Sequence, residues 1–327
     1  MNSFLPVTPD QITIAVTVFS RRQYVKRAVA SALNQTMPVR VIVVEDCGPD
    51  ATLKDFVQAE FGSAIEYYRN PTRRGLFDNW NACLDYCKSE WLSILHDDDY
   101  LAPTCVASIV KLSQHEPGCA LYFGHAQVVD EVGKPWPEFG PPRIAEQFRR
   151  ITLRESYHGT PAAFAGTVFS TAAVRLLGGF NPFSQFAGDW EMWSKLLARF
   201  GGAATRDHVS YVLGHCGIDR GSIVVEREGK HQVLNYVQRK RIIALLKEQG
   251  TVMPLDRRRV LASAPVSIRM LLDHGARMSP RLLRYNLKLL ALSRAANWRY
   301  GVVKVLLGAI GWKGVQILSR AWTCLKS

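Results

Sequence analysis

The sequence predicts an α/β fold in which a mostly parallel sheet is flanked by helices and followed by a helical C-terminal region. Three observations predict it. Short β-branched apolar runs alternate with segments of helical spacing over roughly the first 100 residues, as expected of strands joined by helical crossovers. Those runs are continuous rather than alternating, the mark of strands buried on both faces. From His231 onwards the spacing is helical throughout.

The elements follow in order. Ile12 to Val18 (ITIAVTV) is uncharged and β-branched and reads as a buried strand. Tyr24 to Asn34 places Tyr24, Val25, Ala28, Val29, Ala32 and Leu33 on one helical face. Val39 to Val44 is the second strand and runs into a turn rich in acid, Gly and Pro, Glu45 to Asp50. A short helix over Leu53 to Phe61 and a strand over Ile65 to Tyr68 come next. Gly75 to Cys87 has helical spacing of Phe77, Trp80, Leu84 and Cys87, and Trp91 to Leu95 is a fourth strand, ending at His96-Asp97-Asp98-Asp99. Residues 121–227 mix short strands with Gly/Pro-rich connections, and helices are expected at about 231–249, 256–274, 280–297 and 301–322.

Composition bounds the answer. With 327 residues, 47% of them apolar, the chain builds a substantial core and is not intrinsically disordered. The formal charge of +13 suggests an anionic partner, but it is unevenly spread. Residues 1–229 hold 22 basic and 25 acidic side chains, whereas residues 230–327 hold 19 and 3. The break near 230 coincides with the change to helical spacing. Seven cysteines without CxxC spacing argue for reduced thiols and against a disulfide framework or a zinc site. Met1 to Asp10 lacks the basic and apolar regions of a signal peptide, and no run reaches the ~20 apolar residues of a spanning helix, so a reducing cytoplasmic setting is expected.

In open parallel sheets ligands bind beyond the carboxyl ends of the strands. Two acidic clusters fall there, Glu45-Asp46 and Asp97-Asp98-Asp99. Three consecutive carboxylates after an apolar strand repel one another, and a divalent cation relieves that cost. Mg²⁺ or Mn²⁺ fits, since both take oxygen ligands and commonly join a carboxylate to substrate phosphates. The plain alternative is a solvated acidic turn.

Four segments in order over about residues 10–220 carry a resemblance. ITIAVTVFSRRQYVKRAVASALNQTM, VIVVEDCGPDAT, NPTRRGLFDNWNACLDYCKSEWLSILHDDDYLAP and GGFNPFSQFAGDWEMWSKLLARFG resemble, in turn, the successive motifs of family 2 glycosyltransferases. The resemblance implies a GT-A fold, with a nucleotide-binding half over about 10–120 and an acceptor half over 121–229, followed by the basic helical region 230–327. It implies transfer of a sugar from a nucleotide-diphosphate sugar, with inversion and with Mn²⁺ or Mg²⁺, to a saccharide or lipid-linked acceptor in cell-surface polysaccharide synthesis.

Residue by residue, Thr17 and Phe19 match positions around the base, Asp46 the acid that contacts it, and Arg74 and Asn81 positions facing the nucleotide or diphosphate. His96 stands where the family carries the first acid of its DxDD segment. That departure leaves Asp97 as the substitute ribose contact, Asp98 as the foremost metal ligand and Asp99 as the second. Asp189 matches the general base; the preceding acid is replaced by Gly188, and Glu191 takes the place of the following one. His215 lies where the family places a residue reaching the metal or diphosphate. The plain readings are a turn-stabilising Asp46, a helix-face amide at Asn81, a helix-start Asp189 and a structural His215.

The basic tail carries Arg257-Arg258-Arg259, then Arg277, Arg281, Arg284 and Lys288, and an apolar end from Val302 to Trp322 with interspersed lysines. Such a segment suits either an interfacial helix on anionic lipid or a solvated bundle. Peripheral attachment to the inner face of the membrane is the expected role, and nucleic acid is not expected as a partner. The alternatives are a nucleotidyltransferase, although its Gly-rich loop is missing after Val18, or an inactive family member acting as a binding protein at anionic membranes.

Overall fold

The computed structural model describes residues 4–135, 145–157, 159–214 and 231–250, except for the side chains of 185–186 and 231–236. His215 and the helices expected at 256–274, 280–297 and 301–322 lie outside the described residues. The chain divides into two compact units, Met1–Phe183 with Gly188–His215, and Ser184–Ala187 with Cys216–Ser327.

The first unit is built on one sheet. Strands β1 (Ile12–Val18), β2 (Arg40–Glu45), β3 (Glu66–Arg69) and β4 (Trp91–His96) alternate with helices α1 (Arg22–Leu33), α2 (Leu53–Phe61) and α3 (Leu76–Tyr86). All four strands are parallel, in the order β3-β2-β1-β4. Every residue of β1 is buried, because helices cover both faces of a parallel sheet and leave no solvated side. These boundaries lie within a few residues of those expected from spacing alone.

Beyond β4 the sheet changes character. A two-residue β5 (Tyr100–Leu101), helix α4 (Cys105–His115), β6 (Leu121–Val129), β7 (Phe148–Ile151), β8 (Val168–Ser170), helix α5 (Thr171–Leu176), helix α6 (Gly188–Arg199) and β9 (Gly202–Leu213) complete the unit. β8 lies antiparallel between β4 and β6, and β9 runs parallel to β6. β5 and β7 pair antiparallel with β9. The sheet is therefore mixed, and α4 was not among the elements expected from spacing.

Of the second unit, the described helix is α7 (His231–Glu248), in which Ile242 and Leu246 are buried. No helix among the described residues is long and apolar enough to cross a membrane.

Candidate active site

The register aligns the strand ends that carry the site: Thr17 of β1 pairs with Val44 of β2 on one side and His96 of β4 on the other. Three adjacent carboxyl termini thus open into the same space. Thr17 is buried, and its hydroxyl donates to the Leu95 carbonyl at 3.4 Å, which ties β1 to β4. Phe19 leaves the end of β1 half-buried, with the Arg73 guanidinium 4.3 Å from its ring centroid. The β2 turn is pressed against this point: a Cβ on Gly48 would lie 1.7 Å from the Phe19 carbonyl oxygen, so only glycine fits.

The two acidic clusters behave differently. Glu45 is fully buried and internally matched, receiving hydrogen bonds from Gly48 N at 3.0 Å and Tyr67 Oη at 2.6 Å, and pairing with Arg69. Asp46 accepts from Arg74 N at 2.7 Å, Gly75 N at 2.8 Å and Asn70 Nδ2 at 3.1 Å. Its carboxylate shapes the 70–75 loop that leads into α3. Arg74 contributes its backbone N–H to this arrangement and leaves its side chain exposed.

The β4 cluster is the chemically open one. One ligand atom from each of His96, Asp98 and Asp99 lies within 4.8 Å of the others. Asp99 is buried; its Oδ1 accepts from Leu213 N at 2.9 Å and its Oδ2 lies 3.9 Å from His96 Nδ1. Nε2 of His96 is buried without a hydrogen-bond partner. An imidazole beside two carboxylates is a donor set that fits a divalent cation. Asp97 stands outside that group: it is buried, accepts from the Phe19 backbone N–H, and pairs with Arg21 at 2.7 Å. Arg21 also pairs with Asp98, so one guanidinium bridges two members of the triplet.

Burial dominates the electrostatics. It pushes Asp97 up to about 7 despite the opposing pull of Arg21. Asp99 is raised well above the usual carboxylate range by burial and then by its neighbour Asp98. Burial lowers His96, which keeps the imidazole neutral and able to act as a ligand.

Asp189 sits in the first turn of α6, where the free N–H groups of a helix start favour a carboxylate. Its Oδ1 accepts from Trp190 N at 2.7 Å, and burial pushes it up to about 6, close to the range of a working general base. Glu191, two residues on, is buried, pairs with Lys195 at 2.8 Å and accepts from Asn181 Nδ2 at 3.4 Å. Asn81 is a clamp: its Oδ1 accepts from Phe180 N at 2.8 Å and its Nδ2 donates to Phe180 O at 2.9 Å, joining α3 to the approach to α6.

A run of rings links the start of α6 to the β4 cluster. A Cβ on Gly188 would lie 2.1 Å from the Phe77 ring; Phe77 meets Trp80 at 4.9 Å edge to face, and Trp80 stacks on His96 at 5.6 Å and 19°. Phe164 closes on His96 at 5.1 Å and on Trp193 of α6 at 5.4 Å.

The structure thus gathers Thr17, Phe19, Asp97, Asp98 and Asp99 around the ends of β1 and β4. It leaves Asn81 with a positioning contact. Sequence reasoning did not single out Arg21 or the ligand character of His96. The signal for Arg21 was a basic residue just past a strand whose neighbour ends in three acids. For His96 it was an imidazole in an otherwise acidic run.

Residues 13–172 match the family model described as Glycosyl transferase family 2. The chondroitin synthase of Pasteurella multocida is 25% identical over 197 residues, 57% of this chain and 18% of that protein. The GalNAc(5)-diNAcBac-PP-undecaprenol beta-1,3-glucosyltransferase of Campylobacter jejuni is 25% identical over 170 residues, 51% of this chain and 53% of that one. The chain therefore spans less than two thirds of either relative. Among solved structures, S. aureus TarS 1-349 in complex with UDP-GlcNAc has a TM-score of 0.63 at 14% identity, covering 96% of this chain and 91% of that one. A mannosyltransferase from Pyrobaculum calidifontis in complex with GDP-Man and Mn²⁺ has a TM-score of 0.53 at 16% identity, covering 97% and 88%. At such identities these likenesses concern the fold, an α/β architecture shared with both enzymes.

Proposed function

We propose, for a chain whose residues 13–172 place it in glycosyl transferase family 2, that it is an inverting, metal-dependent enzyme. It moves a sugar from a nucleotide-diphosphate donor to a saccharide or lipid-linked acceptor in cell-surface polysaccharide synthesis. The observation that carries this reading is the convergence of His96, Asp98 and Asp99 at the carboxyl end of β4. The relatives support the donor class: TarS was solved with UDP-GlcNAc and the mannosyltransferase with GDP-Man and Mn²⁺.

Asp98 and Asp99, with His96, would hold Mn²⁺ or Mg²⁺. When bound, that cation supplies positive charge against the departing diphosphate. The chain's own residues do the rest. Thr17, Phe19 and the loop shaped by Asp46 form the wall for the nucleoside, and Asp97, held by Arg21, stands at the ribose side. Asp189 accepts the proton of the attacking acceptor hydroxyl on the face opposite the leaving group, which gives inversion by a single displacement. His215, outside the described residues, keeps its proposed place near the metal or diphosphate.

Two parts with separate tasks complete the proposal: residues 1–229 carry out transfer, and the basic region 230–327 holds the enzyme at an anionic membrane surface, with nucleic acid no partner. A panel of UDP- and GDP-sugars, assayed with and without Mn²⁺, tests the reading. Metal-stimulated transfer or donor hydrolysis is expected with one donor class, and binding of no donor under any condition would overturn it.

A further inference from the structure

His96 occupies the place of an acid in the resembling family, and its surroundings explain why an acid would be misplaced. Trp80 stacks on the His96 ring at 5.6 Å and 19°. Phe164 lies against it at 5.1 Å and 32°. The face of an indole is electronegative, so it accepts a flat imidazole and repels a carboxylate. The two aromatic contacts also limit rotation of the imidazole, leaving its edge toward Asp98 and Asp99. Nδ1 lies 3.9 Å from Asp99 Oδ2, and one ring nitrogen lies within 4.8 Å of a carboxylate oxygen of both Asp98 and Asp99. A neutral imidazole nitrogen beside two carboxylates offers a cation one nitrogen and two oxygen donors.

We infer that His96 is a direct metal ligand, and that through it the site selects a first-row transition dication such as Mn²⁺ over Mg²⁺. The inference rests on the metal-dependent reading above and adds to it the nature of the ligand set. Carboxylates serve Mg²⁺ and Mn²⁺ alike, whereas an imidazole nitrogen favours the transition ion, and Mg²⁺ gives up its water for nitrogen reluctantly. Replacing a carboxylate by His96 therefore trades formal charge for selectivity. Trp80 acts as a positioning residue for that ligand.

The test is pulsed EPR on the full chain loaded with Mn²⁺ alone and with Mn²⁺ plus UDP. Histidine ¹⁴N coupling to the bound Mn²⁺ is expected, replaced by ¹⁵N coupling when the histidines are ¹⁵N-labelled. His96→Asp and His96→Gln should each remove the coupling, while His125→Gln, on β6, should keep it. In competition titrations the preference for Mn²⁺ over Mg²⁺ should fall by about tenfold or more in His96→Asp. Bound Mn²⁺ without nitrogen coupling in the unaltered chain would overturn the inference and leave metal-dependent transfer standing. Failure to bind Mn²⁺ under either condition would overturn both. The unaltered and isotope-labelled chains give the decisive spectra even if a variant folds poorly.

Discussion

Arg21 holds together two carboxylates, Asp97 and Asp98, that would otherwise stand side by side at the end of a buried strand. Its removal leaves Asp97, already pushed up to about 7 by burial, without its counter-charge. Removing one partner of a buried pair is costly, and the partial exposure of Arg21 reduces the cost to about 1–2 kcal/mol. Arg21→Gln should therefore melt several degrees lower without metal, and should gain more from Mn²⁺ than the unaltered chain does, because a cation then replaces the lost guanidinium. Equal metal-induced shifts in the two proteins would count against this role. Asp189 makes a kinetic prediction. In the proposed mechanism its carboxylate is the competent base, and with a value of about 6 that form is lost as pH falls through 6. Transfer should rise with pH across this window and level off near neutrality. Asp189→Asn should lower kcat by about 10²–10⁴-fold and leave donor affinity within a small factor. A variant with unchanged kcat would remove Asp189 from the mechanism.

At the scale of elements, the start of α6 is set by the face it presents to α3. Gly188 touches the Phe77 ring so closely that any side chain must displace it. The family motif carries an acid there, yet Gly188→Glu should destabilise this protein and reduce transfer through movement of Asp189. Phe77→Ala, mildly harmful alone, should partly restore the double variant, and a double-mutant cycle would show coupling of about 1 kcal/mol or more. Additive losses would mean that Gly188 and Phe77 act separately. This contact also shows where sequence reading ends. The strands β1, β2 and β4 were legible because residues such as Val16, Val43 and Ile94 form unbroken apolar runs buried on both faces. The acids at their ends were legible as a candidate site because a strand that ends in Asp97-Asp98-Asp99 needs a counter-charge. Helix α4 was missed, although Val106, Ile109, Val110 and Leu112 are buried with helical spacing, because Ser108 and Ser113 are buried with them and blur the pattern. The tasks of Arg21 and Asn81 lie in contacts across 77 and 99 residues, which no local pattern encodes.

At the scale of the whole molecule, charge divides the chain. Residues 230–327 carry 19 of its 41 basic side chains and 3 of its 28 acidic ones. Juxtamembrane basic residues are worth about 1 kcal/mol each near an anionic surface, so a few of them suffice for reversible attachment. Deletion of residues 280–327 removes 9 of those 19 basic side chains and should weaken sedimentation with phosphatidylserine-containing vesicles at low salt without altering binding to neutral vesicles. Equal retention of the shortened and full chains on anionic vesicles would reject the tail as an anchor.

The sheet also sets an order of events during synthesis. β4 has β1 on one side, but its other neighbour, β8, begins only at Val168. While the ribosome adds the intervening 70 or so residues, at about 5–20 residues per second, the β4 edge stays unpaired for roughly 4–15 s. That edge presents Trp91, Leu92 and Ile94, an apolar template on which another nascent chain can add a strand. A chaperone that shields extended apolar segments should therefore raise the yield of this unit most when it acts before β8 emerges.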